Sequence, residues 1–118
     1  MGGSGLKLKR DILGYSIRAE LQMPDHGWDV SVYGGSRSHV GAVSLAEPNG
    51  CVQTIERDHH RDSAVSALWS QTLATQFQTP VCVRCGIHYD NITKEQLSAI
   101  VHCCDELLQE IISHLKEG

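Results

Sequence analysis

No stretch of roughly 18 apolar residues runs through this chain, which excludes a membrane-spanning helix. The opening Met1-Gly2-Gly3-Ser4-Gly5 lacks the apolar core of a secretory signal, so a soluble cytoplasmic protein is expected. Positive charge is also sparse. The longest basic run is Lys7-Leu8-Lys9-Arg10, the formal charge is -4 and the pI is about 5.9. That balance speaks against general electrostatic binding to nucleic acid or to an anionic membrane, leaving small molecules and proteins as partners. Missing too are a Gly-x-Ser-x-Gly elbow, a phosphate-binding Walker loop, a zinc-protease helix motif and a serine flanked for nucleophilic work. No enzyme activity is expected from what remains.

The five cysteines are an odd set, at positions 51, 82, 85, 103 and 104 and mostly inside apolar patterns. Reduced buried thiols fit this better than a disulfide framework. Cys82-Val83-Arg84-Cys85 has redox or zinc spacing, but it falls in an expected strand, where residues three apart point to opposite faces. Packing is the reading preferred for it, since a second cysteine pair is also missing.

At 118 residues the chain is long enough for one hydrophobic core. Residues 1–12 are expected to be a flexible N-terminal segment and 13–118 a single α+β domain. Tyr15, Ile17, Ala19, Leu21 and Met23 alternate with polar residues, the period-two mark of a half-buried strand. Pro24-Asp25-His26-Gly27 turns the chain, and Trp28, Val30 and Val32 form the inner face of a second strand in an antiparallel hairpin. Val40 to Leu45 and Cys51 to Ile55 read as strands three and four of a meander, separated by the turn Glu47-Pro48-Asn49-Gly50.

From about His60 to Phe77 the period becomes helical. Val65, Leu68, Trp69, Leu73 and Phe77 form the inward stripe, with Ser66, Ser70, Gln71 and Gln78 outward. Thr79-Pro80 ends this helix and Val81 to Ile87 reads as a fifth, buried strand. Thr93 and Gln96 form a capping box for a last helix, with Ile92 and Leu97 at the staple positions. The order ββββαβα predicts an α+β fold: a mostly antiparallel five-stranded sheet with two helices packed on one face. The uncovered face and the open edges of such a small sheet favour a homodimer.

Three histidine-bearing segments follow apolar runs: Gly34-Gly35-Ser36-Arg37-Ser38-His39, Asp58-His59-His60-Arg61-Asp62 and Gly86-Ile87-His88-Tyr89-Asp90-Asn91. The first has backbone NH groups, hydroxyls and a guanidinium able to cradle a phosphate, although from that segment alone an ordinary tight turn with solvent-facing Ser, Arg and His is the preferred reading. The second lies at a helix start, where an anion is favoured, but a solvated cap formed by Asp58 or Asp62 has the same pattern. Adjacent histidines do not both face inward easily, so His60 is preferred over His59. In the third, His88 and Asp90 fall on one side of a continuing strand, with a strand-end turn as the plain alternative. Together the three favour a shared site for a metal ion or a phosphorylated ligand. His26, His102 and His114 read as structural or solvated.

The same segments carry a family resemblance: Gly-Gly-Ser-Arg-Ser-His-Val-Gly-Ala-Val from Gly34, His60-Arg61-Asp62, and Gly86 through Thr93. From about Tyr15 to Leu115 the chain resembles the LpdD-like prenylated-flavin chaperones, small proteins that accompany UbiD-type decarboxylases and have a fold similar to proteasome assembly chaperones. The resemblance implies a non-enzymatic carrier that binds prenylated flavin mononucleotide, or FMN, and delivers it to an apo-decarboxylase. It implies cofactor contacts from Ser36, Arg37, Ser38, His39, Asp62, Tyr89 and Asp90. It also implies that His39, His60 and His88 hold a divalent metal or the flavin phosphate, with Asp62 and Asp90 orienting the imidazoles. Trp28, Tyr33 or Tyr89 would stack on the flavin ring. His59-His60 departs from the pattern, a small residue being expected before the histidine. Two other readings stand beside this one: an assembly factor acting only by protein contact, and a small hydrolase using a metal-bound hydroxide with Asp62 or Asp90 as base.

Overall fold

The alternation of Ile17, Ala19 and Leu21 with charged and polar neighbours produces a sheet with one dry face and one wet face. In the computed structural model, which describes residues 5–57 and 62–117, eight elements follow one another. They are β1 (Gly5–Ile12), β2 (Tyr15–Gln22), β3 (Trp28–Gly35), β4 (Ala42–Ala46), β5 (Val52–Glu56), α1 (Asp62–Phe77), β6 (Val81–His88) and α2 (Lys94–Glu117). The expected class, α+β with two helices against a sheet, holds. Among the described residues no helix is long and apolar enough to cross a membrane.

The sheet differs in two respects. It has six strands in the order β1-β2-β3-β6-β4-β5 and is mixed, because β6 lies between β3 and β4 and runs parallel to β3. The expected meander is therefore interrupted: β4 pairs with β5 and β6, and not with β3. The physical reason lies in the Val81–Ile87 sequence, a nearly continuous apolar run that suits a strand covered by both neighbours rather than an edge. Val81, Val83 and Cys85 are all fully buried.

The second difference is β1. Residues 5–12 fall in the segment expected to be flexible, yet they pair with β2 from Gly5–Gln22 to Ile12–Tyr15. Leu6, Leu8 and Ile12 alternate with Lys7, Lys9 and Asp11 and pack against the core, a period-two signal beside the opening glycines. On the same inward side Arg10 reaches α2, 3.1 Å from Glu110 and 3.6 Å from Glu106.

Helix α1 is rotated from the expected stripe. Ser66 and Ser70 are fully buried, whereas Leu68 is 48% exposed. Small serines let α1 approach Ala42, Ser44 and Ala46 of β4, and their hydroxyls are satisfied without water. Ser66 Oγ lies 2.8 Å from Ser44 Oγ and also donates to the Ser63 carbonyl at 3.3 Å, while Ser70 donates to the Ala67 carbonyl at 3.1 Å. Back-bonding to the preceding turn explains how two hydroxyls sit in a dry interface. Helix α2 begins as expected: the Thr93 amide donates to Gln96 Oε1 at 2.8 Å and the Gln96 amide to Thr93 Oγ1 at 3.1 Å. Its buried residues, Ile100, Cys103, Cys104, Leu107, Leu108, Ile111 and Ile112, cover the β1–β2 side of the sheet.

All five cysteines are free, and Cys82 and Cys85 lie on opposite faces of β6, as its strand geometry requires. The rotation of α1 gives a direct test by urea denaturation. Ser66→Leu is expected to destabilise the protein by about 1–3 kcal/mol through overpacking, and Leu68→Ser by roughly 0.5 kcal/mol or less.

Candidate functional site

The parallel pairing of β3 and β6 places Gly35 beside His88 at the carboxyl ends of both strands. The chain leaving β3 must then cross the end of β6 to begin β4 on its far side. It does so through residues 36–41, fastened at both ends: the Ser36 amide donates to the His88 carbonyl at 2.8 Å and the Gly41 amide to the Cys85 carbonyl at 2.9 Å. The crossing is so close that a Cβ on Gly86 would collide with the backbone of His39, and one on Gly41 with the Asp62 carboxylate. Glycine is required at 86, where backbone occupies the space a side chain needs, and at 41 a side chain would have to displace the Asp62 carboxylate.

This crossing delivers His39 to the start of α1, where its Nε2 lies 3.3 Å from Asp62 Oδ2. Asp62 is 6% exposed and accepts from the Ile87 amide at 3.0 Å and the Cys85 thiol at 3.6 Å. A second pair stands next to it. His88 Nε2 lies 2.8 Å from Asp90 Oδ1, and Arg37 approaches the same oxygen at 3.8 Å. The His88 hydrogen bond holds the Asp90 carboxyl below its ordinary value, helped by the charges of His88 and Arg37 and by a Ser36 hydrogen bond. Any stability from this depressed carboxyl is present above the usual aspartate range and lost as the pH falls through its lowered value.

The His39 and His88 rings are nearly perpendicular, with centroids 6.2 Å apart. Each has its Nε2 beside a carboxylate, at 2.8 Å and hydrogen-bonded for His88 and at a looser 3.3 Å for His39. Two imidazoles on one tetrahedral metal, with nitrogens about 2.0–2.1 Å from it, have ring centres roughly 5 Å apart, so this pair stands slightly wide of shared ligation. Among the described residues no group of three His, Cys, Asp or Glu side chains is placed to hold a metal. His59 and His60 lie outside the described residues.

The other expected residues separate. Ser36 Oγ donates to the His88 carbonyl at 3.2 Å, so its hydroxyl secures the crossing loop. Ser38 lies in a hollow on the uncovered sheet face with Tyr33, Arg18 and Arg84, away from the imidazole pair. Trp28 packs on Phe77 with ring centres 5.2 Å apart, next to Pro80 at the other end of β6. Tyr89 stays close: its hydroxyl donates to the Ile12 carbonyl at 2.9 Å and its ring meets Tyr15 edge-on.

What the sequence reading missed is the space beside the imidazoles. Helices α1 and α2 scarcely touch, and between them lies a cleft of about 550 Å³. Its walls are mainly apolar, with Val65, Leu68 and Trp69 from α1 and Leu97, Ile100 and Val101 from α2; Asp62, His88 and Tyr89 also line it. A size of this order and an apolar lining with a few converging polar groups suit a small-molecule ligand. The signal was in the helices: Leu68 and Val101 lie on apolar stripes yet remain 48% and 47% exposed.

The fold defines the class first. Over 99% of this chain and 98% of the other, the structure matches a solved chaperone complex for yeast 20S proteasome assembly, with a TM-score of 0.61 and 15% identity. At that identity the likeness is one of fold. The particular family follows from the sequence: residues 12–116 match the model of the prenylated flavin chaperone LpdD-like domain, and the chain belongs to that family. Protein LpdD of Lactiplantibacillus plantarum is 27% identical over 108 residues, spanning 87% of this chain and 79% of that protein. Membership places the chain among chaperones rather than enzymes.

The buried thiols around Asp62 give a test of this geometry. Burial, with the Asp62 charge adding to it, pushes the Cys85 thiol far above its ordinary value, and burial pushes Cys104 up to about 12. Thiol labelling of the native protein at pH 8 is expected to modify exposed Cys51 quickly and to leave Cys85 and Cys104 unmodified until the protein unfolds. Gly41→Ala, by displacing the Asp62 carboxylate, should speed the labelling of Cys85.

Proposed function

We propose that this chain binds prenylated FMN and passes it to a UbiD-type decarboxylase, using the His39–Asp62 and His88–Asp90 pairs at one end of the α1–α2 cleft. The observation that supports this most is that a polar cluster and an apolar cleft adjoin, sharing Asp62 and His88 as lining residues. A flavin nucleotide has the matching division: a large flat ring and a charged tail. When bound, the cofactor supplies the reactive ring used by the decarboxylase; the carrier's work is to hold the molecule and keep water from it.

In this reading Arg37 contacts the phosphate. Its ion pair with Asp90 joins two exposed side chains, a weak surface pair that an anion can displace. Asp62 and Asp90 stand beside His39 and His88, whose rings border the polar end of the ligand. Ser36 stiffens the loop and Tyr89 borders the ring, while Ser38, on the uncovered sheet face, takes no part. Hydroxide chemistry with Asp62 as base has little support, because this carboxylate is occupied by His39, the Ile87 amide and the Cys85 thiol.

A cytoplasmic homodimer completes the proposal. On the sheet face without helices, Ile55 is 77% exposed and Leu45 44% exposed, beside the partly covered Val43. Such adjoining apolar side chains favour contact with a second copy.

Titration with reduced prenylated FMN, followed by absorbance, tests the site. His39→Ala with His88→Ala is expected to weaken uptake at least about tenfold, and Arg37→Ala by a similar amount if it meets the phosphate. Unchanged uptake in the double variant would remove these residues from the site. Native mass spectrometry addresses the dimer: the wild-type chain should appear as a dimer and Ile55→Asp mainly as a monomer.

A further inference from the structure

We propose that the α1–α2 cleft is itself the ring-binding site, taking a planar heteroaromatic system by a carbonyl edge, with the Trp69 indole N–H as the hydrogen-bond donor that selects it. This rests on the carrier reading only for the identity of the ring, a flavin.

Trp69 supplies the observation. It is fully buried and forms part of the cleft wall, yet its Nε1 has no acceptor among the described residues. A buried N–H without a partner is uncommon and costly in a folded protein, and a purely structural role would be served as well by Phe. The cleft, whose wall Trp69 helps to form, is the route by which an acceptor would reach it. The two helices share few contacts, so a small separation exposes the indole edge without dismantling the core. The remaining walls specify the rest of the ligand. Val65, Leu68, Ile100 and Val101 offer apolar surface to ring faces or an aliphatic substituent. His88 and Asp62 lie where a polar tail would leave it.

The test uses lumiflavin, which has the ring and carbonyls of a flavin but no phosphate, alongside reduced prenylated FMN. Trp28→Phe leaves Trp69 as the sole tryptophan, so its fluorescence reports on the cleft directly. Lumiflavin is expected to quench this emission saturably. Leu68→Glu and Val101→Glu, at half-exposed positions that tolerate charge in the folded protein, should weaken binding at least about tenfold. Trp69→Phe should weaken it about three- to tenfold, through loss of one donor. Its thermal unfolding, measured alongside, separates this from loss of fold.

Absence of lumiflavin binding, or binding untouched by both glutamate variants, overturns the cleft assignment. The carrier reading fails separately. If prenylated FMN binds and responds to His39→Ala with His88→Ala but not to the cleft variants, the carrier stands and the cleft assignment falls. If lumiflavin binds in the cleft while the wild-type protein ignores prenylated FMN, the ring site stands and the carrier reading falls.

Discussion

The Asp62 carboxylate is the point on which the polar end of the α1–α2 cleft depends. A nearly buried carboxylate is costly unless its oxygens are occupied, and here they serve three different segments. One oxygen accepts from the Ile87 amide and the Cys85 thiol of β6, and the other faces His39 on the crossing loop. Because Asp62 begins α1, one side chain ties helix, strand and loop together. Its position also brings it near the unpaired NH groups of the first helical turn, where negative charge is favoured.

The mixed sheet creates the need for that tie. Inserting β6 between β3 and β4 forces the intervening loop to cross a strand end, and the crossing has room only because residues 41 and 86 lack side chains. The imidazole pair is thus a product of topology: His39 belongs to the crossing loop and His88 to the strand being crossed. They are 49 positions apart in numbering, yet their ring centres are 6.2 Å apart. Ligand sites commonly form at the carboxyl ends of parallel strands, where side chains converge without being needed for the ladder.

Much of this was legible along the chain, and the parts that were not have identifiable causes. Hairpin β2–β3, both helices and the Thr93–Gln96 cap follow from local periods and short-range hydrogen bonds. The position of β6 in the sheet is a long-range choice, and its apolar run showed burial without naming its neighbours. In α1, polarity misled: Ser66 and Ser70 were assigned outward by type, whereas their small volume and back-bonded hydroxyls suit the tight contact with β4. His39, His88, Asp62 and Asp90 were legible as a convergent group. The separation of Ser38 from Ser36 was not: Ser36 borders Tyr89 and Asp90, whereas Ser38 borders Tyr33 and Arg84 on the uncovered face, a difference set by the path of the crossing loop.

The proposed carrier role asks for binding firm enough to protect a cargo and loose enough to surrender it, and the parts of the molecule differ in ways that suit those two demands. The core beneath the site is tightly fixed, with Val30, Val32, Val83 and Cys85 fully buried and Asp62 satisfied from several sides. The cleft walls are less committed: α1 and α2 each pack on the sheet but hardly on one another, so their separation can change without breaking either interface. The outer imidazole, His88, is held by an exposed carboxylate that Arg37 shares, an arrangement open to competition from an anion. Rigid parts therefore position the polar cluster, while the weakly coupled helices control the apolar space. In the proposed role, release would begin at the cleft with the sheet and its loop crossing still intact.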